Sequence, residues 1–100
     1  MSNKIVYDLS EIKRRLEPVF SANDVKSAIL FGSYAEGHAT PDSDIDILVD
    51  SGLRGLDFVG LVEYAREALQ KNVDLIDTHY IDIDSPIRYA VDATGVRIYG

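Results

Sequence analysis

Two aspartates at a spacing of two, Asp44 and Asp46, are the first residues of this sequence whose types and spacing could do chemistry. If they lie on a strand, alternation places both carboxylates on one face. Carboxylates about 4 Å apart repel by roughly 4 kcal/mol at an effective dielectric of 20. A divalent cation is the economical way to offset this, since no basic residue lies in the segment, although a shared proton would also serve. Alternatively, the two aspartates lie at a solvent-exposed strand end and form no binding site.

A Gly-Ser pair, Gly32-Ser33, precedes the first of these aspartates with ten residues between them. Glycine lets the backbone approach a ligand closely, serine adds a hydroxyl donor, and a helical turn after them would present free N–H groups to a triphosphate. Gly-Ser alone is a weak signal. Followed by Asp-x-Asp in a strand, it predicts one site that binds both nucleotide phosphates and their cation.

Two strands and the turn between them must position these residues. Residues 25–31 are apolar on nearly every position after Lys26 and Ser27, which is typical of a central strand covered on both faces. A short helical turn is predicted over residues 33–37 and a further turn over 40–43. The second strand, 44–49, alternates so that Asp44, Asp46 and Leu48 share one face.

The first predicted helix begins after Asp8, which with Glu11 resembles a capping box. Apolar residues then recur at helical spacing. Pro18 is predicted to kink this helix or to end it near Glu17, because proline lacks the N–H and clashes with the preceding turn.

The second half of the chain predicts two more helices and two more strands. Asp74 and Asp77 fall on opposite faces of the third strand, because they are three residues apart. Ser85 before Pro86 is typical of a helix start. The predicted elements are a helix along Phe58, Leu61, Val62, Ala65 and Leu69, a strand over 73–78, a helix from Ser85 to near Gly95, and an edge strand over 96–99.

Composition predicts one soluble globular domain, residues 1–100, because 46% of the residues are hydrophobic and 27% charged. The absence of cysteine excludes thiolate sites, so a bound metal would have oxygen ligands, as Mg²⁺ or Mn²⁺ does. A net charge of −7 argues against bulk nucleic-acid binding and suits a basic protein partner better, although plain solubility accounts for it equally well. No membrane span is expected, the first four residues do not open a signal peptide, and a cytoplasmic location is predicted.

The segments 32–37 and 43–47 together resemble the signature of the DNA polymerase β-type nucleotidyltransferase superfamily, in its small stand-alone branch, the minimal nucleotidyltransferases. The order of predicted elements is similar to that family's core over almost the whole chain. The resemblance implies an α/β (α+β) fold, a small mixed sheet flanked by helices like the polymerase β palm. The family's third carboxylate lies in a Val-Asp-Leu setting, which Asp74 matches.

Carried over residue by residue, the resemblance implies that Asp44 and Asp46 ligate two Mg²⁺ ions. Asp74 would bind one ion and help to deprotonate the attacking hydroxyl, while Gly32 and Ser33 would hold the terminal phosphates. The implied reaction transfers a nucleoside monophosphate, AMP from ATP, to a hydroxyl. The physics agrees, since two cations stabilise the attacking and leaving oxygens of an in-line displacement.

One residue departs from the family pattern, because Glu36 stands where arginine is most common. Either Glu36 points to solvent, which we favour, or nucleotide affinity is reduced. We interpret His38 as an exposed loop residue. The remaining aspartates, Asp42, Asp50, Asp77, Asp82 and Asp84, are interpreted as solvated charges, with Asp77 as the third ligand if the strand register differs by one.

Members of this branch commonly pair with a small helical HEPN-domain toxin, so the resemblance implies an antitoxin that modifies a tyrosine of its partner. Two alternatives stay open. The protein could be a binding module that neutralises its partner by occlusion alone, or it could modify a small hydroxyl compound such as an antibiotic. The sequence does not choose between a hetero-oligomer and a homo-oligomer.

Overall fold

A computed structural model describes residues 4–100 as a four-stranded sheet with helices on both faces. The strand order is β3-β2-β1-β4, with β1 antiparallel to both neighbours and β2 parallel to β3, which confirms the predicted mixed α/β fold. The elements are α1 Leu9–Ala22, β1 Ser27–Phe31, α2 Ser33–Glu36, β2 Ile45–Asp50, α3 Leu56–Leu69, β3 Val73–Asp77, a 3₁₀ turn Thr78–Tyr80, α4 Pro86–Thr94 and β4 Val96–Tyr99.

The two faces of the sheet carry different helices. On one face α1 and α3 cover the main core, where Ile12, Phe20 and Leu61 are almost completely buried. On the other face α4 packs, and Ile81 after the 3₁₀ turn also contributes, around a smaller cluster of Phe31, Leu48 and Val91. The second face is therefore only partly covered, and it is the face onto which Asp46 alternates, because Asp46 and Leu48 are two residues apart.

Helix α1 begins as predicted, since the Asp8 carboxylate accepts a hydrogen bond of 2.8 Å from the Glu11 amide. Of the two effects predicted for Pro18, a kink or an end near Glu17, the end is wrong, because the helix continues through Pro18 to Ala22. The final turn carries Phe20, which is fully buried and lies edge-on to Tyr99. Burying a phenylalanine is worth up to about 3 kcal/mol, which is comparable to the cost of an interior proline, so packing offsets the local penalty.

Helix α3 supplies the crossover that parallel strands require between β2 and β3. The predicted edge strand over 96–99 is confirmed, whereas each of the other three strands differs from its prediction by one or two residues at one end or both. Strand β1 begins at Ser27 instead of 25, and Asp44 lies just before β2. Strand β3 ends at Asp77, because Thr78 already begins a 3₁₀ turn.

Among residues 4–100, no helix is both long and apolar enough to span a bilayer. Residues 1–3, which belong to the segment considered above for a signal peptide, lie outside the described part of the chain.

Candidate active site

The structure brings the three predicted carboxylates to one end of the sheet. Asp46 of β2 lies directly opposite Asp74 of β3 in the parallel register, so both side chains project from the same face. Asp44 precedes β2 by one residue. Asp46 is half-buried, whereas Asp44 and Asp74 are exposed. The group is therefore open to solvent on one side and enclosed on the other.

The charges of these carboxylates interact strongly. The pKa of Asp46 is raised to about 6, first by burial, next by the negative charges of Asp74 and Asp44, and also by a hydrogen bond with Asp74. Each of these causes disfavours a second and third negative charge at the same place. The arrangement consequently favours any ligand that brings positive charge.

Gly32 lies against the same carboxylate. It follows Phe31, which pairs with Asp46 across β1 and β2, and its φ of 73° is one that side chains rarely adopt. A Cβ atom on Gly32 would be 2.5 Å from Asp46 Oδ2, far inside van der Waals contact. Only glycine therefore allows this turn to lie on Asp46, and the predicted phosphate turn and carboxylate pair meet as one site.

The donors present suit a hard cation, because all three are carboxylate oxygens. Within the described residues, however, no three acidic or histidine side chains converge into a complete metal centre. Mg²⁺ is usually bound through one or two carboxylates together with substrate phosphates and water, so a complete protein cage is not required. The negative charges crowded around Asp46 also favour a bound cation.

Two residues near the turn, Glu36 and His38, have exposed side chains. Glu36 ends α2 with an exposed side chain, as favoured from the sequence. His38 is also exposed, as predicted. Its amide donates to the Ser33 carbonyl at 3.0 Å, which closes the short helix. Ser33 itself is half-buried at the start of α2.

The interpretation of Asp77 as a solvated charge is wrong. Its side chain is 3% exposed and accepts hydrogen bonds from the Ser51 hydroxyl, from the Ser51 amide at 3.1 Å and from the His79 amide at 2.9 Å. Burial would raise its pKa, but the bonds from Ser51 and His79 outweigh that effect and lower it. It lies opposite Val49, on the other face from Asp74, so it is not the third ligand.

Two surface features next to the carboxylates had no local sequence signal, because they form where distant segments meet. A cleft of about 630 Å³ includes Asp44. A smaller groove of about 400 Å³ includes Asp74, and Arg66 of α3 lines both. The cleft is lined by Pro41, Asp42, Ser43, Asp44, Glu63, Arg66, Glu67, Gln70, Lys71 and Asn72.

Comparison with known proteins identifies a matching family model, similar sequences and similar solved structures. A family model described as "Polymerase beta, Nucleotidyltransferase" matches residues 14–100. A putative protein adenylyltransferase of Methanocaldococcus jannaschii is 39% identical over 90 residues, which cover 85% of this chain and 97% of that protein. These matches extend across both the carboxylate strands and the Gly-Ser turn.

Two solved structures are also similar. A chain in a crystal structure of a toxin–antitoxin with AMP-PNP is 26% identical with a TM-score of 0.75, and the match covers 88% of this chain and 73% of that one. A chain in a complex of a tri-AMPylated Shewanella oneidensis HEPN toxin with its MNT antitoxin is 23% identical with a TM-score of 0.70, covering 92% and 72%. The second likeness shows the fold alone.

Proposed function

This chain belongs to the polymerase β nucleotidyltransferase family, and from that we propose that it transfers AMP from ATP to a hydroxyl group of a protein. The observation that carries the proposal is the packing of Gly32 on Asp46, with Asp74 directly opposite in register. This places a turn suited to phosphates and the carboxylates suited to a cation in contact with each other.

Asp44, Asp46 and Asp74 would hold two Mg²⁺ ions, with Mn²⁺ as the alternative. The raised pKa of Asp46 supports this, because such crowded carboxylates gain from a positive neighbour. When bound, the cations neutralise the charge that develops on the attacking and leaving oxygens.

The other roles belong to the chain's own groups. Gly32 and Ser33 would hold the β- and γ-phosphates, since the glycine leaves the backbone open to close approach. The acceptor oxygen forms a bond to the α-phosphorus as the bond to the β-phosphate oxygen breaks. Asp74, the more exposed member of the Asp46–Asp74 pair, accepts the hydroxyl proton, and pyrophosphate leaves.

A tyrosine on a HEPN-type toxin is the proposed acceptor, which makes this protein the antitoxin of a pair. Support comes from the M. jannaschii relative, described as a putative protein adenylyltransferase, and from the toxin–antitoxin structure with AMP-PNP at 26% identity. The net charge of −7 supports a basic protein partner over a nucleic acid.

Transfer of labelled AMP tests the proposal. The protein is incubated with labelled ATP, Mg²⁺ and the protein encoded by the neighbouring gene, and the label on that protein is measured. We expect Asp44→Asn and Asp46→Asn to lower transfer by about 100-fold or more, since each removes a cation ligand. Asp84→Asn, a change of the same kind at an exposed loop position, should leave transfer unchanged.

The alternatives give different results in the same assay. If both asparagine variants fully neutralise the partner and neither they nor the wild type transfers label, the protein is a binding module that acts by occlusion and not an enzyme. Label on a small hydroxyl compound without any partner present would identify a small-molecule nucleotidyltransferase.

A further inference from the structure

The outer edge of β3 has no strand beside it within the described residues 4–100, because β3 is last in the order β3-β2-β1-β4. The Asn72 carbonyl turns toward β2, where it accepts from the Ile45 amide at 3.1 Å. The Val73 carbonyl turns outward and accepts from Arg66 Nε at 3.4 Å. Since peptide groups alternate sides along a strand, those of Leu75 also face outward.

A groove of about 400 Å³ runs along this edge, and we call it the β3 edge groove. Val62 and Arg66 of α3 form one wall, and residues 73–76 of β3 form the other. Its walls are mainly apolar, and the outward peptide groups of Leu75 lie between them, next to the Val73 carbonyl that Arg66 bonds. This combination suits an extended polypeptide better than a small polar molecule, because a peptide supplies both backbone partners and apolar side chains.

The position of the groove relative to the phosphate turn indicates which reactant it takes. Asp46 of β2 lies between Gly32, which follows β1, and Asp74 of β3. An in-line displacement needs the attacking and leaving oxygens on opposite sides of the phosphorus. If the phosphates that leave lie on the Gly32 side, the attacking hydroxyl comes from the β3 side.

We propose that the β3 edge groove binds an extended segment of the protein acceptor, which joins the sheet as a strand beside β3. This rests on the proposed function and specifies how the acceptor binds. Neighbouring strands lie about 4.8 Å apart, and residues opposite one another project from the same face. The acceptor residue opposite Asp74 therefore projects toward Asp74 and Asp46, which brings its hydroxyl to the carboxylates.

Two valines of α3 provide a matched test. Val62 lines the groove, whereas Val59, one turn earlier, is 53% exposed and does not. Val62→Arg would fill the groove, and misplacing the acceptor in this way should lower AMP transfer to the HEPN-type partner by about 100-fold. ATP binding should be unchanged, and Val59→Arg should transfer at the wild-type rate.

A photo-crosslinker at the same positions gives a readout that does not depend on how well Val62→Arg folds. Benzoylphenylalanine at position 62 should crosslink to the partner within a few residues of the labelled side chain, and at position 59 it should not. Equal transfer by Val62→Arg and Val59→Arg would overturn the inference. Crosslinks from position 62 only to a second copy of this chain, or to no protein, would also overturn it.

The same experiment separates this inference from the proposed function. If the wild-type protein transfers no label but crosslinks from position 62 map to one extended partner segment, docking is supported and the adenylyltransferase proposal fails. If it transfers label but makes no such crosslink, the adenylyltransferase stands and docking at the β3 edge groove fails.

Discussion

At the scale of single residues, Gly32 couples the phosphate turn to the carboxylates. Replacing it with alanine places a Cβ 2.5 Å from Asp46 Oδ2, in a backbone conformation that alanine rarely adopts. We expect Gly32→Ala to cost about 1–3 kcal/mol in stability. It should also lower AMP transfer by about 100-fold, because a shift of about 1 Å in a positioned group has that effect. Chemical denaturation and the labelling assay measure the two.

Gly37→Ala is the matched control for that variant. Gly37 also has a positive φ, 79°, but a Cβ there meets no atom within 4 Å. Its left-handed conformation should cost about 1–2 kcal/mol, while transfer by the folded protein stays at the wild-type level. Equal loss of transfer in both variants would show that backbone strain, and not contact with Asp46, controls activity.

Asp77 affects stability rather than the site. Three hydrogen bonds keep its carboxylate charged in the folded protein, so its pKa is below the ordinary value despite burial. Its stabilising contribution is therefore complete above the unfolded pKa of about 4 and is lost as pH falls through the lower, folded value. We expect Asp77→Asn to cost about 2 kcal/mol at pH 7, because hydrogen bonds to a charged group are replaced by weaker ones.

Denaturation midpoints of Asp77→Asn and wild type between pH 7 and pH 2 check this prediction. The difference between the two proteins should shrink as the pH falls below about 4. Asp84→Asn, at an exposed position, serves as the control and should follow the wild type. A constant difference across the range would assign the loss to packing instead of charge.

At the scale of elements, α1 retains a proline because its last turn is held by tertiary packing. We expect Pro18→Ala to raise the free energy of unfolding by about 2 kcal/mol, because the amide at position 18 can then donate to the Arg14 carbonyl. This value already allows for the conformational entropy that the unfolded chain gains when proline is removed. Pro18 is exposed, so alanine leaves no cavity in the core. Urea denaturation measures the change.

Activity and a neighbouring substitution provide the controls for Pro18→Ala. AMP transfer should be unchanged, because α1 packs on the face opposite the carboxylates. Glu17→Ala, an exposed change in the same turn, should alter stability by less than about 0.5 kcal/mol. A lower stability for Pro18→Ala would mean that the backbone geometry imposed by the proline is needed to position Phe20 in the core.

At the scale of the whole molecule, the net charge of −7 controls how partners approach. The Debye length is about 30 Å at 0.01 M salt and about 8 Å at 0.15 M. The protein measures 31 × 29 × 22 Å, so its field extends over a full molecular diameter only at low salt. We expect association with a basic partner to slow by about tenfold or more between these salt concentrations.

Stopped-flow association with the HEPN-type partner measures this, with dissociation followed separately. The dissociation rate should change much less, because local contacts are screened less than long-range attraction. An association rate that does not depend on salt would mean that the two proteins meet without electrostatic steering, and the basic-partner expectation would then be wrong.

Local patterns in the sequence predicted the helices and strands, and they indicated the aspartate pair and the Gly-Ser turn as a candidate site. Alternation at Asp44, Asp46 and Leu48, the Asp8 cap and the Ser85-Pro86 helix start each depend on neighbours within a few residues, and the two caps are confirmed. The mixed sheet is confirmed as well, but it was implied by the family resemblance and not by a local pattern. The Val-Asp-Leu match, rather than periodicity, indicated Asp74. Its role as a ligand stays a prediction, as do those of the other site residues.

Tertiary structure decided the rest, because it depends on residues far apart in the chain. The register of β2 on β3 places Asp74 opposite Asp46, and the end of β1 brings Gly32 onto the same carboxylate. Asp77, which was interpreted as a solvated charge, is buried and accepts hydrogen bonds from Ser51 and His79. Helix α1 continues past Pro18, and its last turn packs the buried Phe20. Local preferences are worth about 1–3 kcal/mol, and burial against distant residues is large enough to override them.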